Sequence, residues 1–281
     1  MVTLKTIKDF TDDNGNSIIT KTMDLKCWGI NFYGKNNKLI IGKNVRIVED
    51  SLFNFFFDNA TVNIEDKSKL SIHAVIGDQC HVKFGEGCST ASRILLGTSQ
   101  SARIIFGNDC MLASGIHIRA CDSHFIYSSI SKHEINKTKD IIVGSHVWIA
   151  YNAILLGGAG IGDGCIVGFG SVVKGKFPNN CIIAGNPGKI VKRHIAWERT
   201  LKNRQNQQKQ YSSMYYHPTR EKCSSFQKIL LYSYGKFLML FSNKATVNIY
   251  NTDNQLYFLK SETKLKSLLR NILNKCGPPI F

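Results

Sequence analysis

"IIVGSHVWIAYNAILLGGAGIGDGCIVGFGSVVKGK", residues Ile141 to Lys176, decides the fold. Val143, Ile149, Leu155, Ile161, Val167 and Val173 follow one another at intervals of six residues. Four positions after each of the first five stands a small or β-branched side chain: Val147, Ala153, Ala159, Cys165 and Ser171. A period of six matches neither the 3.6 of a helix nor the alternation of a strand. It suits a triangular coil of three short strands, with one apolar residue per side pointing inward and small residues at the corners. Fixed-period self-similarity marks a solenoid, and a hexapeptide period marks a parallel β-helix. The register recurs upstream at Ile64, Leu70, Ile76 and Val82, and again at Phe106, Leu112 and Ile118, with Ile41 and Ile47 starting it.

Working outward, the expected fold is all-β, with the solenoid over residues 39–190. Residues 1–38 carry no hexad register and read as a short β-rich cap, because a terminal repeat needs covering. "DSLFNFFFDNATV" places four Phe within five residues, more bulk than one coil normally takes. Residues 120–142, "ACDSHFIYSSISKHEINKTKDII", interrupt two in-phase stretches and read as a loop thrown out from the coil. Long loops on rigid scaffolds commonly carry function. After Pro187 the composition changes, and residues 191–281 read as a mixed, partly helical C-terminal extension. Its last part, "KSETKLKSLLRNILNK", has the pattern of a basic amphipathic helix. This extension could cap the solenoid, contact a membrane surface peripherally, or help bind a substrate.

The chain has 281 residues, 43% of them hydrophobic, enough for one large or two modest domains. A formal charge of +16 points to anionic partners such as nucleic acid, a membrane surface, a phosphorylated cofactor or an acidic glycan. Nine cysteines are scattered with no CxxC pair, and several fall where the repeat calls for a small residue. That pattern predicts reduced, packed thiols. The first residues show no apolar core of a signal peptide, and no run of about 18 apolar residues occurs. A soluble, cytoplasmic protein is the expectation. Gly170, Gly175 and Lys176 nearly complete a phosphate-binding loop, but Phe177 stands where Ser or Thr must ligate magnesium. The segment also lies inside hexads, so that reading fails.

The combination of "DSHFIY", "NKTKDIIVGSHVWIA" and "IGDGCIVGFGSVVKGKFPNNCIIAGNPGKIVK" resembles the hexapeptide-repeat acetyltransferases. The likeness is to the branch that acetylates bacterial capsule, O-antigen and other surface sugars, and it is strongest over residues 104–193. It implies a left-handed parallel β-helix that assembles as a homotrimer, with acetyl-CoA as donor in a groove between subunits. It implies no metal and no nucleic-acid partner. The same resemblance makes His124 the general base and places Trp148 with it in the catalytic centre, lining the pocket beside the cofactor. Ala150, Tyr151 and Phe169 match positions facing the pantetheine arm, with Lys174 further along. Lys189 and Lys192 match basic residues near the 3′-phosphate. The chain departs from the family at "WIAYN", where W-I-G and a small residue are usual, and at Phe169, where Ala is usual.

The chemistry has its own logic. A sugar hydroxyl attacks a thioester at neutral pH only if a base takes its proton, and imidazole, with an ordinary pKa near 6.5, suits that task. Backbone N–H groups at coil turns can stabilise the oxyanion. Either Asp122 or Glu134 could orient His124. His146 reads as a surface or interface residue, and His117 as a coil-face residue. The expected acceptor is a surface glycan, more readily an acidic one such as a sialic acid. Two other readings use the same solenoid: a zinc-dependent, carbonic-anhydrase-like enzyme drawing on His73, His81, His117 and His124, and a non-catalytic glycan-binding scaffold. The seven-residue gap between His117 and His124 weighs against the first.

Overall fold

The computed structural model describes residues 1–23 and 25–199. These fall in one compact unit, Met1–Thr219; the unit Arg220–Phe281 lies outside the described residues, and with it the helical readings of the extension. The described residues fold into strands arranged in three sheets of eight, nine and eight strands. One coil shows the logic. Ile141–Val143 lies in the second sheet, Trp148–Ile149 in the third and Ile154–Leu156 in the first. Each strand then pairs in parallel with its equivalent in the next coil. The chain is therefore an all-β parallel solenoid, a triangular prism consistent with the left-handed β-helix.

Hexad residues form the prism's interior. Val143, Ile149, Leu155, Ile161, Val167 and Val173 are all buried, as are the upstream Ile64, Leu70, Ile76 and Val82. In the later coils Ile149 pairs with Val167 and Leu155 with Val173, so one turn of the coil is three hexads long. Earlier coils are longer. Val62 pairs with Val82, and Val82 with Ile104, each step exceeding three hexads. The second sheet keeps two inward residues per strand through both kinds of coil, Val82 with Phe84, Ile104 with Phe106 and Ile141 with Val143, so the extra length shifts the hexad register. Ile64 thus faces Phe84 rather than Val82. The wider coil also houses the phenylalanine run. Phe53 and Phe55 point inward, while Phe56 and Phe57 turn out at the edge. Phe55 stacks on Phe32 at 4.9 Å and Phe84 on Phe106 at 4.9 Å, so rings continue the stack from coil to coil.

The edge between the second and third sheets explains the repeated glycine. Backbone N–H of Ser145 donates to Asp163 Oδ1 at 2.7 Å, and that of Asp163 to Asn179 Oδ1 at 2.9 Å. These side chains occupy the space where a Cβ on the coil above would stand. A Cβ at Gly144 would meet Asp163 Oδ1 at 2.3 Å, so only glycine fits. Two positions on, the corner turns left-handed at Asp109, His146, Gly164 and Asn180. Next comes the inward corner residue, Cys110, Val147, Cys165 or Cys181, each buried. Seven cysteines among the described residues are free thiols, and six of those are buried.

The parallel ladder begins earlier than the hexads do. Ser17–Thr20 already runs parallel to Lys38–Ile41, and Leu25–Phe32 parallel to Leu52–Phe55. At this end, antiparallel closure is confined to Val2–Ile7 on Leu25–Phe32 and Phe10–Thr11 on Ser17–Thr20. The first coil therefore starts upstream of residue 39, where its longer sides hide the six-residue step. At the other end Lys189–Arg193 folds back antiparallel on Cys181–Ala184 and ends the third sheet.

Candidate active site

The interrupting segment leaves the coil after His117–Arg119 and rejoins it at Ile141–Val143, so it projects from the edge between the first and second sheets. A bridge between Tyr127 and Glu134 makes it a short hairpin. Asn136 staples its base. Nδ2 of Asn136 donates to Asp122 Oδ2 at 3.0 Å and to the His124 carbonyl at 2.7 Å, and Oδ1 accepts from Ile126 N–H at 2.8 Å. The loop and the corners of earlier coils enclose a cleft of about 330 Å³, into which His124 opens beside Asp122 and Glu134. Asp122 is thus held by Asn136. Glu134 lines the same cleft as the imidazole. Nothing in the local pattern "EINKTKD" distinguishes Asn136, whose partners lie 10 to 14 residues back along the chain.

Losing this staple should matter more to rate than to stability. Asn136→Ala removes hydrogen bonds from an exposed loop, and small displacements of a reacting group cost up to about 10² in rate. We expect turnover to fall roughly tenfold to a hundredfold with an unchanged melting temperature. Wild-type turnover in a kinetic assay of the variant would show that other contacts hold the loop.

The remaining residues singled out by sequence sit elsewhere on the prism. Trp148 lies on the third sheet between Met111 and Ile166, with 36% of its surface exposed. Ala150 and Tyr151 form the following corner, at the edge between the third and first sheets, and stack on the corner carrying Phe169. Ala150 N–H donates to the Val167 carbonyl and Gly170 N–H to the Tyr151 carbonyl, each at 2.9 Å. The Tyr151 and Phe169 side chains are exposed. Lys174 stands exposed in the corner after Val172–Val173, on the edge that also carries the loop. Lys189 and Lys192 are exposed on the last strand, paired with Ala184 and Ile182. None of these residues lines the His124 cleft. His73 and His117 lie on the first sheet with Leu95 between them, and His81 lies on the second. No group of three or more His, Cys, Asp or Glu suited to a metal occurs among the described residues.

His146 corrects the surface reading. It is 8% exposed, because the segment after the last strand returns along the edge and covers it. Trp197 stacks on its ring at 3.9 Å and donates from Nε1 to the His146 carbonyl at 3.0 Å. The imidazole bonds Asp109 Oδ2 at 2.6 Å through Nδ1 and the Trp197 carbonyl at 2.9 Å through Nε2. Arg199 completes the clamp, bonding Asp109 Oδ1 through Nε and the Asp109 and Cys110 carbonyls through Nη2. Burial would raise the Asp109 carboxyl, but the His146 hydrogen bond and the Arg199 charge outweigh it and hold it below the usual range. Trp197 also lies 6.0 Å from Trp148. A contact between positions 146 and 197 leaves no trace in a six-residue period.

No family model matches the chain. A polysialic acid O-acetyltransferase of Neisseria meningitidis is 34% identical over 188 residues, covering 66% of this chain and 83% of that relative. The chain belongs to the surface-polysaccharide branch of the hexapeptide-repeat acetyltransferases. A polysialic acid O-acetyltransferase of Escherichia coli O1:K1 is 38% identical to this acetyltransferase over 104 residues, 37% of the chain and 34% of the relative's own length. The crystal structure of the polysialic-acid-specific acetyltransferase NeuO matches with 31% identity, covering 69% of this chain and 83% of that one, at a TM-score of 0.47.

Proposed function

We propose that this acetyltransferase moves an acetyl group from acetyl-CoA to a hydroxyl of a cell-surface glycan, an acidic one such as a sialic-acid polymer. The observation that carries the reading is His124, opening into a cleft of a size suited to a small ligand on a loop stapled by Asn136. In the reaction the acceptor oxygen attacks the thioester carbonyl as His124 takes the hydroxyl proton. The C–S bond then breaks, and the proton passes to the CoA sulfur.

The donor groove is proposed along Trp148, Ala150, Tyr151 and Phe169, on a different edge of the prism from His124. One chain cannot bring two edges of a rigid prism together. That separation supports a homotrimer in which the donor groove of one subunit meets the His124 loop of its neighbour. The names of the relatives support the acidic glycan. Free, buried thiols support a reducing compartment, and we place the reaction in the cytoplasm.

The direct test incubates the full chain with acetyl-CoA and a panel of sialylated and neutral oligosaccharides. Release of CoA thiol should require a glycan, and the glycan should gain one acetyl mass. No mass gain on any glycan would overturn the proposal. Lys189→Ala and Lys192→Ala should each weaken acetyl-CoA binding by about 1 kcal/mol. Dephospho-acetyl-CoA, which lacks the 3′-phosphate, should bind all forms alike. Equal losses with both donors would place the lysines away from that phosphate.

A further inference from the structure

The His124 cleft is lined by carboxylates. Asp78, Asp122 and Glu134 face it, and no lysine or arginine is among its lining residues. On the loop's return segment Glu134, Asn136 and Thr138 line the cleft, whereas the alternate residues Ile135, Lys137 and Lys139 are exposed and do not. An acidic acceptor entering this space meets like charge on its lining, which sets a problem of orientation.

A cation of the coil stands beside the cleft. Arg119 ends the strand His117–Arg119 that leads into the loop, and its side chain is exposed. Its Nη2 donates to Ser123 Oγ at 3.0 Å, and Ser123 lines the cleft beside His124. Two other arginines are committed to carboxylates, while Arg93 lies over the Trp28 ring. Arg103 grips Asp140 through Nε and Nη2, and Arg199 grips Asp109. Arg119 has a hydroxyl as its hydrogen-bond partner and no carboxylate among the described residues.

The strand beneath Arg119 is shaped for it. Gly97 pairs directly with Arg119, and a Cβ there would lie 3.3 Å from Arg119 Nε and 3.4 Å from Cδ. The side chain thus lies across a bare backbone and swings toward Ser123.

We propose that Arg119 is the specificity-determining residue that binds the carboxylate of an acidic acceptor sugar beside the His124 cleft. The inference rests on the acetyltransferase reading above. A guanidinium offers a planar fork of N–H donors matched to a carboxylate, and only part of it is used by Ser123. Asp78, Asp122 and Glu134 disfavour a carboxylate inside the cleft, so attraction at Arg119 and repulsion from the cleft lining favour the same pose.

The test compares a sialic-acid oligosaccharide with its carboxyl methyl ester as acceptors for the full-length enzyme and acetyl-CoA. Wild type should show the lower KM for the free acid. Arg119→Gln should raise that KM about tenfold, leave kcat within about twofold, and leave the ester's kinetics unchanged, which also reports an intact fold. Arg119→Lys should recover part of the preference. Gly97→Ala keeps the charge but intrudes on the guanidinium, and should raise the KM for the acid alone. Equal changes with acid and ester, or no change with either, would overturn the assignment of Arg119 while leaving acetyl transfer standing. If wild type acetylates neither acceptor, the acetyltransferase reading fails, and this inference with it.

Discussion

His124→Ala should lower turnover by roughly 10² to 10⁴ while acetyl-CoA affinity and the melting transition stay at wild-type values. The fold loses little because the loop projects from the coil, and the His124 group engaged by Asn136 is its backbone carbonyl, which alanine retains. The chemical step loses the base that makes the acceptor hydroxyl nucleophilic. A base acts in the transition state, so its loss appears in kcat far more than in donor binding. His146 offers no replacement, since its ring is buried between Trp197 and Asp109 with both nitrogens bonded. His117 lies on the face of the first sheet and does not line the cleft. Glycan-dependent thiol release within about threefold of wild type, far short of the loss expected of a base, would remove His124 from the mechanism.

The largest loss of stability should follow Phe106→Ala. Phe106 is fully buried, stacks on the Phe84 ring at 4.9 Å with 4° between planes, and pairs with Val143 in the coil that follows the loop. Truncating a buried aromatic costs about 3–5 kcal/mol when the surroundings cannot collapse. Collapse is restricted here, because the backbone ladders on either side hold the coils at strand spacing. A domain is typically stable by only about 5–15 kcal/mol, so the loss is a large share of the total. Urea unfolding of wild type and variant should show a lower midpoint at an unchanged slope. A change below about 1 kcal/mol would mean that this layer repacks freely, contrary to close-packed interiors.

Residues and their order determine by themselves which side chains face the prism's interior. The six-residue step marked Ile149, Leu155, Ile161 and Val167 as inward, and all are buried, because in a short-sided coil inward facing is a local property of the backbone. The position of the loop was legible for the same reason: a polar stretch without the step cannot lie on a side. What lies next to what was decided only by stacking. Neighbours in space stand three hexads apart in the later coils, as Ile149 and Val167 do, and further apart in the earlier ones, as Val62 and Val82 or Val82 and Ile104 do. The longer step of an early coil therefore sets Phe84, not Val82, against Ile64 while both hexad residues stay buried. His146 has an outward corner position by pattern, yet a return segment 51 residues later buries it under Trp197. Nothing in the period distinguishes Arg119; its register places it over Gly97, and its hydroxyl partner places it beside the cleft. The period encodes in and out; partners depend on lateral contacts between coils, and those arise only once the chain has wound upon itself.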